Sequence, residues 1–218
     1  MSAPADPHGA APVALEGRPL GEGALVVVLV HGRNASPENI VELAHRLDHP
    51  DATYLMPAAA GRTWYPHTFL APREDNEPAL RSALNLLDRL VDASVAAGVP
   101  RSRVVLMGFS QGACLSAEYV YRHPARYGGL VAFSGGLVGP PGTTWTGGGG
   151  LDGMPAFLGC SDIDGHVPKD RVEASADALT RLGAAVTLRL YPGMGHLVND
   201  DEIAHARAIL DRAAGALA

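Results

Sequence analysis

Lysine is almost missing from this chain: Lys169 stands alone, and the arginines are scattered rather than clustered. Acidic residues outnumber basic ones, giving a formal net charge of −6, so there is no basic face on which a phosphate backbone could sit. Nucleic acid is therefore excluded as a partner. Cysteine is scarce too. The two present, Cys114 and Cys160, lie in apolar segments and make no disulfide framework. They read as small core residues in a reduced, cytoplasmic setting. Long hydrophobic runs are absent: the longest, 24–30, falls far short of the roughly 20 residues that cross a bilayer, so no membrane span is expected. The opening stretch "MSAPADPHGAAPVALEGRPLGEG" lacks a basic segment followed by an apolar one, and no signal peptide is expected there. Charged residues make up only 18% of the chain against 47% hydrophobic, which excludes a disordered polypeptide.

A chain of 218 residues can bury about 70% of its unfolded surface, enough for a core without staples. One α/β domain over 1–218 is expected. Apolar, β-rich runs fall at 24–30, 52–56, 103–109, 129–135, 155–160 and 185–191, and amphipathic helical patterns at 37–48, 77–97, 111–123, 169–182 and 200–216. Continuous apolar strands separated by helices imply a mostly parallel central sheet covered on both faces, with a minimal lid or none. Ser36 before Pro37 and Glu38 reads as an N-cap, and Asn76 or Asp75 as the cap of the long helix that follows. The segment 1–20 is expected to be a loosely ordered extension or, over 10–23, an antiparallel hairpin at one edge.

Two stretches, 57–76 and 134–155, are long, rich in Gly and Pro, and carry Trp64, Tyr65, Phe69 and Trp145. Loops of that length inside a compact domain are usually functional, and both leave strands at the carboxyl edge where open α/β sheets bind ligands. The rings either wall an apolar substrate site or plug the edge of the sheet as packing.

The run "VVLMGFSQGACLSAEYV" places Ser110 between Gly108 and Gly112, after a strand and before a helix. In that context G-x-S-x-G marks a nucleophile on a sharp strand-to-helix turn, with glycines where a Cβ would collide. The helix N-terminus then supplies N–H groups to a developing oxyanion. A serine needs a base, and the base an orienting acid, in the chain order Ser, Asp/Glu, His. His196 follows one strand in "LYPGMGHLVNDDE"; Asp162 and Asp164 follow another in "LGCSDIDGHVPKD" and stand as alternatives. "LVHGRNASPENI" after the first core strand offers the Arg33 backbone N–H as one oxyanion donor, with that of Gln111 as the other. The Arg33 side chain is read as solvated or as a partner for a substrate carboxylate. No pair of the nine histidines has H-E-x-x-H or comparable ligand spacing, so neither metal nor organic cofactor is expected. His8, His45, His49, His123 and His205 read as solvent-facing; His31 and His67 either line the site or, as the preferred reading, make local structural hydrogen bonds.

Together these residues resemble the phospholipase/carboxylesterase family of α/β-hydrolases, which includes bacterial carboxylesterases and acyl-protein thioesterases. The likeness rests on "LVHGR", "GFSQGA", "FSGGL", "DIDGHVP" and "YPGMGH". It implies an α/β-hydrolase fold and a Ser110–Asp164–His196 triad, because Asp164 to Pro168 matches the family's D-x-x-V-P and His196 its base. It also implies an oxyanion hole from the Arg33 and Gln111 amides. Val167 joins Trp64, Tyr65, Phe69 and Trp145 as expected substrate contacts. The chain departs from the family's thioesterases by reading "HGRNA" where they usually carry "HGLGD", and Asn34 stands where glycine is common. The expectation is a serine esterase acting on a small-molecule carboxylic ester of small to medium acyl chain. The alternatives are a thioesterase or lysophospholipase for longer chains and, remotely, a non-catalytic binding module. No homodimer interface is fixed, although a weak dimer is compatible with the sequence.

Overall fold

A computed structural model describes residues 6–215 of the chain. Seven strands form one sheet in the order β1-β3-β2-β4-β5-β6-β7: β1 Val13–Gly17, β2 Leu25–Val30, β3 Ala52–Pro57, β4 Val104–Phe109, β5 Gly129–Phe133, β6 Pro155–Ser161 and β7 Ala185–Tyr191. All neighbours run parallel except β1, which lies antiparallel to β3 with Leu15 opposite Leu55. Five helices cross between or follow the strands: α1 Pro37–Leu47, α2 Ala79–Ala96, α3 Gln111–Arg122, α4 Lys169–Arg181 and α5 Asp200–Ala214. This is the mostly parallel, helix-covered sheet that the alternation of runs implies, and the α/β-hydrolase architecture that the resemblance implies.

Strand alternation sorts the core into two layers. On β2, Val26, Val28 and Val30 pack with Leu80, Leu84 and Leu87 of α2 and with α3. The intervening Leu25, Val27 and Leu29 face Leu43 and Leu47 of α1 and Leu210 of α5. A strand buried on both faces has no position for a polar side chain, which is why β2 reads as an unbroken aliphatic run. The topological switch falls between β2 and β4, whose registers set Val30 beside Gly108. Chain leaving both strands there opens a crevice at their carboxyl ends.

Three local expectations are corrected. The 10–23 segment forms one edge strand paired with the distant β3, rather than a hairpin. Arg73–Asn76 is a separate 3₁₀ turn and α2 begins after Pro78; Asn76 is buried, accepting from His67 N–H and donating to the Thr68 carbonyl, so it does not cap the helix. Ser36 occupies the N-cap of α1, but its hydroxyl donates to Asn39 Oδ1 instead of accepting a helix N–H. The expected extension over residues 1–5 and the last residue of the helix expected at 200–216 lie outside the described residues. Among the described residues no helix is long and apolar enough to cross a membrane.

Candidate active site

Ser110 is the N-cap of α3 with φ 56° and ψ −120°, a backbone conformation that a residue with a side chain adopts at a cost of about 1–3 kcal/mol. The surroundings hold it there. Its N–H donates to the Phe133 carbonyl at 2.9 Å, and its carbonyl accepts from Cys114 N–H at 3.0 Å. A Cβ on Gly108 would come within 2.5 Å of the Gly112 carbonyl carbon, and one on Gly112 would strike the Val30 carbonyl oxygen. The two glycines therefore let α3 fold back over β4 and β2, and this tight turn lifts the Ser110 hydroxyl off the sheet.

His196 and Asp164 reach Ser110 from two other strand ends. His196 Nε2 lies 2.9 Å from Ser110 Oγ, and its Nδ1 lies 2.6 Å from Asp164 Oδ2. The remaining Asp164 oxygen accepts the His166 and Val167 N–H groups at 2.8 and 3.1 Å. Burial alone would raise this carboxyl, but the His196 contact and the two backbone donors outweigh it and hold Asp164 below the ordinary carboxylate value. Asp162, the other candidate acid, points elsewhere: its Oδ1 accepts from Gly193 N–H at 2.8 Å. The segment carrying His196 is fixed further by the Ser161 hydroxyl, which donates to the Met194 carbonyl, and by Arg46, which donates to the Val198 carbonyl at 3.0 Å. The imidazole packs against Phe109 and His166 at centroid separations of 4.8 and 4.9 Å.

The segment after β2 abuts the nucleophile, since a Cβ on Gly32 would sit 3.4 Å from Ser110 Cβ. Arg33 and Gln111 both border the cavity. Gln111 is the first residue of α3, and helix geometry leaves an N–H at that position without an intrahelical acceptor. Asn34, where the resemblance leads one to expect glycine, has φ 62°, a left-handed conformation that asparagine tolerates better than most residues.

The side chains of Arg33 and Gln111 do something the sequence did not suggest. Arg33 is exposed at the border of the cavity, yet its guanidinium is held by backbone carbonyls. Its guanidinium donates to the carbonyls of Tyr65 at 3.0 Å, Pro66 at 2.9 Å and His67. Gln111 Nε2 also donates to the Tyr65 carbonyl, at 2.9 Å, while its Oε1 accepts from Trp64 N–H at 3.0 Å. The two residues proposed as oxyanion donors thus clamp one loop, 63–67, through a shared carbonyl. No periodicity or motif signals such a pairing, because it joins positions more than 30 apart in the chain.

A cavity of about 520 Å³ opens over Ser110, with Tyr65, Phe69 and Val167 in its walls and His67 at its exposed side. Trp64 and Trp145 are corrections: neither lines it. Trp64 is fully buried between the rings of His8 and His31 and donates its indole N–H to the His31 carbonyl at 2.8 Å. Trp145 covers the Arg171 guanidinium at 5.1 Å, with Phe69 near the same cation at 5.9 Å. Arg171 in turn donates to the carbonyls of Leu137, Gly139 and Pro140, tying down the 134–155 loop. These tryptophans seal backbone turns from water, so large apolar rings were needed there for packing.

His8 is also a correction, being buried rather than solvent-facing. Its Nε2 donates to the Trp64 carbonyl and its Nδ1 accepts from Ala60 N–H. His31 uses its Nδ1–H on the Gly32 carbonyl and accepts from Ala59 N–H at Nε2. Burial lowers both histidines, which keeps them neutral and able to serve as donor and acceptor at once. The His49 side chain is covered as well, beside Asp211, and that of His205 is half-buried against Phe157; His45 and His123 are exposed. Among the described residues no group of three or more His, Cys, Asp or Glu side chains is placed to hold a metal ion.

The chain is similar to known proteins in both sequence and fold. A crystal structure of a phospholipase/carboxylesterase from Dyadobacter fermentans superposes with a TM-score of 0.87 at 35% identity, covering 96% of this chain and 99% of that one. An acyl-protein thioesterase 1 of Eremothecium gossypii is 31% identical over 159 residues, which is 69% of this chain and 64% of that protein. A probable carboxylesterase of Oryza sativa subsp. japonica is 28% identical over 149 residues, 65% of this chain and 60% of the other. The matches thus span less than two thirds of the length of those two relatives. The family profile described as Phospholipase/Carboxylesterase matches residues 19–213, and the chain belongs to that family.

Proposed function

We propose that this protein is a serine hydrolase of carboxylic esters with small to medium acyl groups. The observation that carries the reading is the continuous relay from Asp164 through His196 to Ser110, with contacts of 2.6 and 2.9 Å. In this reading Ser110 Oγ attacks the ester carbonyl carbon while His196 Nε2 takes its proton. Asp164, accepting from Nδ1–H, holds the tautomer that leaves Nε2 free as base and stabilises the imidazolium that forms. The Arg33 and Gln111 amides receive the oxyanion, in a site where one such donor is worth about 100- to 1000-fold in rate. Collapse expels the alcohol, protonated by His196, and leaves an acyl-Ser110 ester. Water attacks that ester by the same proton relay and releases the acid.

The small-to-medium preference is supported by the rigidity of the walls: Phe69 is held beside Arg171, and the 63–67 loop is clamped by Arg33 and Gln111. Incubation with a fluorophosphonate probe is expected to label wild-type protein at Ser110 and to leave Ser110→Ala unlabelled. Equal labelling of both proteins, or none in folded wild type, refutes the reading. A kcat/KM series over p-nitrophenyl esters is expected to peak at short to medium acyl chains. A rise that continues to palmitoyl would favour the long-chain thioesterase or lysophospholipase alternative.

A further inference from the structure

His196 borders two recesses. Beyond the imidazole from the cavity over Ser110 lies a groove of about 360 Å³ between α1 and the segment 196–198. Ile40 and Leu43 of α1 face Leu197 and Val198 across it. Phe109 and His196 line both recesses, so the two meet at the ring proposed to carry the proton. The groove is mostly apolar and its far wall is pinned, because Arg46 donates to the Val198 carbonyl and pairs with Asp200 at 2.9 Å. That commits Arg46. Glu42, exposed at the rim, has no ion-pair partner among the described residues. Leu197 is 48% exposed at the lip, a large apolar side chain left facing water.

Ester chemistry supplies an occupant. When the tetrahedral adduct collapses, the bond from the former carbonyl carbon to the alcohol oxygen breaks, and His196 Nε2 returns to that oxygen the proton it took from Ser110. The departing oxygen must then lie about 3 Å from Nε2, so the chain it carries leaves the reacting centre past His196. The acyl part stays bonded to Ser110. We propose that the groove between α1 and residues 196–198 is the subsite for the alcohol part of the ester, and that it takes a neutral, apolar alkyl or aryl alcohol. At about 30 Å³ per heavy atom the groove holds on the order of ten such atoms. The Glu42 carboxylate at the rim disfavours an anionic alcohol. This inference rests on the serine hydrolase reading above.

The test fixes the acyl group as acetyl and varies the alcohol from methyl to butyl, following acid release by pH-stat. Transfer of each methylene into an apolar recess is worth up to about fourfold, so kcat/KM is expected to climb at least about tenfold across the series. In Leu197→Asp the butyl-to-methyl ratio is expected to fall by about fivefold or more. In Glu42→Lys, carboxymethyl acetate is expected to gain about tenfold relative to ethyl acetate. A flat alcohol series in a wild-type protein that hydrolyses methyl acetate through Ser110 overturns the subsite and leaves the hydrolase reading intact. Butyl-to-methyl and charge ratios unchanged in both variants overturn it equally. Absence of any Ser110-dependent hydrolysis overturns both.

Discussion

Glu202→Gln is expected to remove a pH-dependent cost to folding. Glu202 is fully buried in the first turn of α5, where its Oε2 accepts from Asn199 N–H at 2.9 Å and its own N–H donates to Asn199 Oδ1 at 2.8 Å. Its second oxygen, Oε1, has no hydrogen-bond partner. Burial pushes this carboxyl from its ordinary 4.5 up to about 7, against the opposing pull of the Asn199 N–H and Arg46 and with help from Asp201. A group whose pKa is higher folded than unfolded favours the protonated form. Its contribution is therefore full below pH 4.5 and is lost as pH rises through about 7. At about 1.4 kcal/mol per pH unit, the rise from 4.5 to about 7 corresponds to about 3 kcal/mol. Glutamine keeps the acceptor that closes the capping box and cannot ionise. Urea unfolding of both proteins between pH 4.5 and 8 gives the variant-minus-wild-type difference, in which every other titrating group cancels. That difference is expected to climb by about 3 kcal/mol in favour of the variant. A difference that stays flat with pH refutes burial as the governing influence on Glu202.

Asp164→Asn is expected to lower kcat by about 10³–10⁴ with little change in KM, since it keeps the shape of the site and loses the tautomer control; steady-state kinetics on a short-chain ester check it. Gly112→Ala drives a methyl group into the Val30 carbonyl, and is expected to cost at least about 2 kcal/mol in denaturant unfolding and to depress activity by displacing Ser110. Burial pushes the Cys114 and Cys160 thiols up to about 12, so native protein at pH 8 is expected to resist iodoacetamide while urea-unfolded protein takes two labels, as mass spectrometry would read.

Periodicity located the central strands because a strand buried on both faces leaves no polar position, and the helices because their apolar stripes recur at helical spacing. The glycines around Ser110 were legible through the motif: Gly108 is required by the local turn, whose Gly112 backbone a Cβ there would strike, whereas Gly112 is required by the close approach of the Val30 carbonyl at the end of β2. The sequence also narrowed the acid to Asp162 or Asp164, with the family pattern favouring the second. Tertiary structure showed what each one touches: Asp164 meets His196, and Asp162 holds the Gly193 N–H. It also decided that Trp64 and Trp145 pack while Tyr65 and Phe69 line the cavity, that His8 is buried and bonded to the Trp64 and Ala60 backbone, and that the first edge strand pairs with β3. Each of these depends on contacts between distant segments. A ring, an imidazole or a guanidinium has the same composition and spacing whether it faces a ligand or a carbonyl, and only the folded chain brings one of those partners within reach.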